Sequence, residues 1–267
     1  MILDETIYLI KAKYISQIEK LTIADVRIGV HLTAVQLSDN SYGVAGTVPD
    51  DRPFCAKKDR DFGNFTPSKI TGQKVLNLLE ASKQTAVVNS LKIATLNALS
   101  SKFLSTTNYK VLEDTDPIDL IELTLKRTIT VIGAFQSYIQ KIAATTNRLF
   151  VLELNEKSLE DAHKQYYVPA SEYASVLPIS DVVIITGLTL VNNAIDGILT
   201  SIVPDTQVAI TGPSSCLFPD TLFQNKVNII GATRITQPEK LFSIVSEGGA
   251  GYHLFKYCAQ KICIIHE

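Results

Sequence analysis

The second half of the chain alternates short runs of valine and isoleucine with helical stretches, and this alternation constrains the fold more than any other feature. In order, the runs read TITVIG, RLFVLEL, DVVIITG, TQVAITG, KVNIIGATR and KICIIHE. Apolar runs of this length are typical of strands buried on both faces, and helices between such strands are typical of right-handed parallel crossovers. We therefore predict a doubly wound, mainly parallel α/β sheet for residues 109–267.

The first half carries a different pattern. Apolar residues at intervals of three and four predict a one-sided helix over residues 4–21. Alternation of apolar and polar residues over 26–32 predicts one strand, and YGVAGTV after a polar turn predicts the strand that returns. Two further helices are predicted at about 71–81 and 85–104. These elements indicate a small α+β domain over residues 1–108.

Composition narrows the classes of partner. The chain has 25 basic and 27 acidic residues, and neither sign forms a long block, so we expect no nucleic acid and no anionic membrane as partner. Its four cysteines form no CxxC pair, and no apolar stretch is long and unbroken enough for a signal peptide or a membrane span. We therefore expect a soluble, cytoplasmic protein, and its oligomeric state stays open.

Ligands of open parallel sheets bind at the carboxyl ends of the strands, so the loops there are the candidate sites. Gly133 follows the first predicted strand and permits a tight turn into a helix, although no second glycine completes a dinucleotide fingerprint. Glu153 ends the second predicted strand, at the spacing of acids that receive ribose hydroxyls. Both residues also have ordinary explanations: backbone packing for the glycine and a solvated strand end for the glutamate.

The loops after two later predicted strands carry further candidates. After DVVIITG, Thr189, Asn192 and Asn193 open a helix, and two asparagines beside a threonine are more than one helix cap requires. After TQVAITG, the loop Gly212–Pro213–Ser214 offers free amides and a hydroxyl, and we take it as the strongest single candidate.

Glycines and a buried amide complete the set of candidates. Gly248 and Gly249 precede the last predicted helix, where they serve either a ligand or a flexible turn. In the first half, Asn97 interrupts an apolar helix, so its amide needs partners in the local backbone or in a ligand between the two domains.

Two other chemistries have little support. The sequence GPSSC is not a nucleophile elbow and places no histidine beside its serines, so nucleophilic catalysis is disfavoured. Four metal-ligating residues crowd the C-terminus, but their spacing matches no structural zinc pattern, and we predict no metal ligands in the chain. These residues are His253, Cys258, Cys263 and His266.

The stretches YGVAGTVPD, ATLNALSS, GLTLVNNAIDGIL, TGPSSCLFPDTLF and SEGGAGYHLF resemble a family named for a proposed role in heavy-metal chelation. The resemblance implies an enolase-N-terminal-like domain, a Rossmann-like domain and a ligand site in the cleft between them. It carries over the candidates Asn97, Thr189, Asn192, Gly212, Pro213, Ser214, Gly248 and Gly249.

The leading hypothesis is a protein that binds a small metabolite in the interdomain cleft, in a pathway that handles a metal or a metal chelator. The alternative is an enzyme that uses NAD or S-adenosylmethionine, with Glu153 on a ribose and Gly133 near the rest of the cofactor. The sequence identifies neither the cofactor nor a reaction.

Overall fold

The computed structural model describes residues 1–48, 63–83 and 85–266. Within these residues, the first half contains three α-helices and a three-stranded antiparallel sheet in the order β1-β2-β3. Its elements are α1 (Ile2–Ile18), β1 (Ile23–Ile28), β2 (Leu32–Leu37), β3 (Tyr42–Gly46), α2 (Val75–Leu79) and α3 (Ala86–Phe103).

The prediction of one strand over residues 26–32 is wrong, because the chain reverses at residues 29–31. β1 and β2 are the two arms of a hairpin, and the amide of Gly29 donates to the carbonyl of Leu32 over 2.8 Å. Apolar residues continue to alternate on both sides of this reversal. The periodicity therefore contains no sign of the turn.

The second half contains the predicted sheet. Its elements are β4 (Lys110–Glu113), β5 (Thr128–Ile132), α4 (Gln136–Ala143), β6 (Arg148–Glu153), β7 (Tyr167–Pro169), α5 (Tyr173–Val176), β8 (Val182–Thr186), α6 (Leu188–Val191), α7 (Ile195–Ser201), β9 (Gln207–Thr211), α8 (Pro219–Gln224), β10 (Ile229–Ile235), α9 (Pro238–Ser246), α10 (Gly251–Tyr257) and β11 (Ala259–Ile265). The strand order is β4-β11-β10-β9-β8-β5-β6-β7.

Six of these strands, from β10 to β7, run parallel, whereas β11 is antiparallel to β10 and β4 is antiparallel to β11. The predicted α/β class with a mainly parallel sheet is confirmed. All six predicted strands form, and the pattern misses β4 and β7, which are short and lack a fully buried residue.

The strand order creates a switch point between β5 and β8. From β5 the chain winds outward through β6 and β7, then returns to the other side of β5 and winds through β8, β9 and β10. Helices and loops after β5 and β8 therefore diverge, which opens a crevice at the carboxyl edge of the sheet.

Helix α3 joins the two halves and is buried from Val88 to Ser100. The Asn89 amide donates to the carbonyl of Val191 over 3.2 Å. The backbone amide of Gly46 donates to the Ser214 hydroxyl over 2.8 Å. The first half thus supports the loops that follow β8 and β9. None of the helices in the described part of the chain is long and apolar enough to cross a membrane.

Candidate functional site

Two cavities lie at the carboxyl edge of the large sheet, and Phe135 borders both. The first, which we call the switch-point cavity, has a volume of about 710 Å³, and its walls come from the loops after β5, β6 and β8 together with α7. The second, which we call the lysine cavity, has a volume of about 590 Å³ and lies beyond β9. Both volumes are in the range of about 300–1,000 Å³ that is usual for small-molecule sites.

The switch-point cavity depends on a glycine at the end of β5. Gly133 has φ +105°, a backbone conformation that side chains disfavour. A Cβ atom there would lie 3.1 Å from Cβ of Thr186 on the neighbouring strand. Gly133 therefore allows both the turn into α4 and the close approach of β8, and the cavity opens beside it.

A carboxylate and an exposed leucine line the switch-point cavity at the end of β6. Oε1 of Glu153 accepts the amide of Leu154 over 2.7 Å, which fixes the carboxyl group at the end of β6. Oε2 has no hydrogen-bond partner among the described residues, so it is available to a ligand. Leu154 is 81% exposed and lines the cavity beside this carboxylate. A polar anchor and an apolar surface thus lie side by side.

The third wall comes from the loop after β8. The Thr189 hydroxyl donates to the carbonyl of Thr186 over 2.7 Å, and Oδ1 of Asn192 accepts the amide of Ala194 over 3.1 Å. These groups stabilise the local turns, and Asn192 is exposed and lines the cavity. Of the described residues that line the cavity, Glu153 alone carries a formal charge.

Gly212 and Pro213 line the lysine cavity, but the hydroxyls of their loop are occupied. Ser214 accepts the amide of Gly46, and Ser215 hydrogen-bonds to the carbonyl oxygens of Gly212 and Gly231. Both serines are buried. This loop therefore contributes backbone and shape to the cavity rather than hydroxyl groups.

Charged side chains enter the lysine cavity from outside the parallel strands. Lys261 on β11 forms an ion pair with Asp116, which follows β4. Lys256 on α10 has no carboxylate partner among the described residues. A hydrogen bond to Tyr257, and then the charge interaction with Tyr252, raise the pKa of Lys256 above its ordinary value. The lining residues carry one net positive charge.

The remaining predicted residues lie away from the walls of both cavities. Asn97 is 3% exposed, and its amide donates to the carbonyls of Val44 over 2.8 Å and Pro213 over 3.2 Å. Gly248, with φ +80°, and Gly249 end α9, because their amides donate to the carbonyls of Val245 and Ile244 in the pattern of a glycine helix cap. The glycine cluster is thus explained by the end of a helix.

Sequence reasoning found Gly212 and Pro213 but missed the charged and aromatic members of the lysine cavity. Asp116 and Phe135 are far in the sequence from Lys256 and Lys261, and the pairing of β11 with β10 and β4 helps to bring them to one place. The one signal in the sequence was Phe135, two residues after Gly133 in the candidate loop that follows β5.

Family models and solved structures identify the relatives of this chain. The DUF364 model matches residues 116–264 and the DUF4213 model matches residues 11–100, and both are described as "Putative heavy-metal chelation". The chain belongs to the DUF364 family. A search of the curated proteins finds no match.

Two solved DUF364 structures share the fold. One is a protein of unknown function from Pyrococcus horikoshii, with 22% identity and a TM-score of 0.80 over 100% of both chains. The other, also of unknown function, is from Desulfitobacterium hafniense, with 17% identity and a TM-score of 0.75 over 98% of this chain and 100% of that one. The DUF364 fold therefore extends over the whole chain.

The described residues do not fit the metal that the DUF364 description implies. Across residues 1–48, 63–83 and 85–266, no three His, Cys, Asp or Glu side chains gather in a possible metal site. Burial raises the pKa of the Cys216 and Cys263 thiols to about 12 and that of Cys258 to about 11. Soft metals bind the thiolate, and these three thiols are held neutral. We derive no step through a metal.

Proposed function

We propose that this DUF364 protein binds a ribose-bearing small molecule, a nucleoside or a nucleoside-type cofactor, in the switch-point cavity. The observation that carries the proposal is the position of Glu153. Its carboxylate ends the strand next to β5, lines the crevice at the switch point and keeps one oxygen available. An acid at this place in a doubly wound sheet is suited to accept hydrogen bonds from the two hydroxyls of a ribose.

The walls on either side of Glu153 suit the rest of a nucleoside. The exposed side chain of Leu154 offers an apolar surface for a flat base, and burial of that surface favours binding. Polar groups of Asn192 and Tyr173 line the same cavity and can orient the base or the substituent on the ribose.

Charge decides which nucleoside the cavity favours. The described lining residues include no lysine, arginine or histidine, and the one carboxylate repels anions. The turn after β5 has a single glycine, so few amides are available to a pyrophosphate. Neutral or cationic nucleosides, such as adenosine or S-adenosylmethionine, are therefore favoured over NAD.

The proposed ligand site lies at the large sheet alone and not in the cleft between the two halves. Asn97 and Ser214, two of the eight candidates for a cleft site, are buried and hydrogen-bonded across the contact between the halves. They support the loops of the cavities without lining the switch-point cavity.

Calorimetric titration with adenosine tests the proposal. Adenosine is expected to bind one site per chain, 2′-deoxyadenosine more weakly, and Glu153→Gln should weaken adenosine binding about tenfold, the usual cost of a lost hydrogen bond to a charged group. Glu156→Gln is the matched control, because this exposed acid follows β6 but does not line the cavity. Equal affinity for both nucleosides, or unchanged affinity in Glu153→Gln, would overturn the proposal.

A further inference from the structure

The lysine cavity has a lining unlike that of the switch-point cavity. Four aromatic and two proline side chains line it, and its charges are one carboxylate and two ammonium groups. The aromatic members are Phe135, Tyr138, Tyr252 and Phe255. Such a lining favours a flat apolar body that carries a negative group.

The two lysines have different roles. Lys261 is held by its ion pair with Asp116, and its ammonium group lies 5.4 Å from the ring centre of Phe255. Lys256 lies 5.7 Å and 5.2 Å from the ring centres of Tyr252 and Tyr257, and no carboxylate among the described residues pairs with it. Lys256 is therefore the cation available to an anionic ligand.

The net charge of the lining sets the charge of the ligand. Asp116 cancels one of the two ammonium groups, which leaves the equivalent of one positive charge. One charge balances a monoanion, and the described lining residues include no arginine fork for a phosphate. A carboxylate is the group that this arrangement favours.

We propose that the lysine cavity is a second binding site, specific for an aromatic carboxylate, with the ring against Phe135 and Phe255 and the carboxylate on Lys256. This site does not depend on a nucleoside in the neighbouring cavity. Because Phe135 borders both cavities, a ligand in each would lie on either side of that ring.

The experiment is a titration with 2-naphthoate and with its neutral analogue 2-naphthamide. The wild-type protein should bind the carboxylate at one site per chain and bind the amide about tenfold more weakly, in line with the loss of a hydrogen bond to a charged group. Lys256→Gln should bring the affinity for the carboxylate down to that for the amide. Lys110→Gln, an exposed lysine on β4 outside the cavity, should change neither affinity.

A second variant should act in the opposite direction. Asp116→Asn removes the charge that holds Lys261, so 2-naphthoate should bind more tightly while 2-naphthamide is unchanged. Equal binding of carboxylate and amide, or unchanged 2-naphthoate affinity in Lys256→Gln, would overturn the proposal. Adenosine binding, measured in the same variants, should stay at its wild-type value, so failure of this site is distinguishable from failure of the nucleoside site.

Discussion

The two cavities share a sheet edge and the side chain of Phe135, yet their linings carry opposite charge. The walls of the switch-point cavity come from the parallel strands, their loops and α7, with Glu153 as the charged group. The lysine cavity is lined by Asp116, which follows β4, and by Lys261, which lies on β11. These two strands are the antiparallel ones of the sheet. The parallel strands thus position both cavities, and the strands added at the edge of the sheet change the charge of one lining.

One helix, α3, holds a loop of each cavity. Helix α3 donates a hydrogen bond from Asn89 to the loop after β8 and another from Asn97 to the loop after β9. Each loop lines one of the cavities. The first half of the chain therefore positions one loop of each cavity. Asn89 and Asn97 are the matched residues that hold these two loops.

The largest effect is expected from the glycines that end β5 and β9. Gly133→Ala should lower the free energy of unfolding by about 3 kcal/mol, and Gly212→Ala by about 2 kcal/mol, because both have positive φ. The difference arises because the methyl group added at Gly133 lies only 3.1 Å from Cβ of Thr186, whereas at Gly212 its nearest neighbour is the amide nitrogen of Gly187 at 3.8 Å, an ordinary van der Waals contact. Urea unfolding of both variants measures it. Equal losses would contradict the packing of β8 against Gly133.

The next effect comes from the two asparagines of α3. Asn89→Ala and Asn97→Ala should each lower the free energy of unfolding by about 1–2 kcal/mol, since each leaves a buried carbonyl without its donor. Asn89→Ala should weaken adenosine binding and spare 2-naphthoate, and Asn97→Ala should do the reverse. Titration of both ligands checks this. Parallel losses of both ligands in both variants would mean that α3 does not act on the loops separately.

A smaller effect is expected from the exposed leucine of the switch-point cavity. Leu154→Ala should weaken adenosine binding about fivefold, because it removes apolar area that the base would cover. The unfolding midpoint should not change, since the side chain is 81% exposed. Leu125→Ala is the control: Leu125 is 54% exposed and outside both cavities. If Leu125→Ala weakened adenosine binding equally, Leu154 would not be the base surface.

Salt should separate the two sites by a modest amount. Raising sodium chloride from about 20 mM to about 200 mM should weaken 2-naphthoate binding two- to threefold, because Lys256 is exposed and its charge is screened. Adenosine carries no charge, so its affinity should stay constant. Equal salt dependence for the two ligands would contradict a role for the charge of Lys256 in binding 2-naphthoate.

The smallest effect is expected from the cysteines. The raised pKa values keep Cys216, Cys258 and Cys263 protonated at pH 8, and Cys55 lies outside the described residues. A thiol reagent at pH 8 should therefore modify at most one of the four thiols of the native chain, and all four in urea. A thiolate-to-cadmium absorption band in the native protein with Cys55 replaced by serine would contradict this.

The same raised pKa values make stability depend on pH in one direction. A thiol that holds its proton more tightly in the folded state stabilises the fold fully below the unfolded pKa of 9.0. That contribution is lost as the pH rises toward about 12, so the urea midpoint should fall above pH 9.

The sequence predicted the part of the fold that depends on local pattern. Short apolar runs marked β5, β6, β8, β9, β10 and β11, and the loops after β5 and β6 led to Gly133 and Glu153. The hairpin of β1 and β2 was missed because apolar alternation continues through the turn at Gly29. The loop at Gly212 and Pro213 led to one wall of the lysine cavity, but its charged groups were missed because strand pairing brings them together, and single-strand patterns do not encode that pairing. Gly248 and Gly249 cap α9, and the sequence left a ligand loop and a turn open there because a glycine helix cap and a ligand loop have the same composition.

The most direct test of two separate sites is calorimetric titration of adenosine into the protein saturated with 2-naphthoate. Two cavities that meet only at Phe135 predict that adenosine still binds one site per chain, with 2-naphthoate retained. Loss of adenosine binding in the presence of 2-naphthoate would show that the two ligands compete for one site, and would contradict the division of this sheet edge into two chemistries.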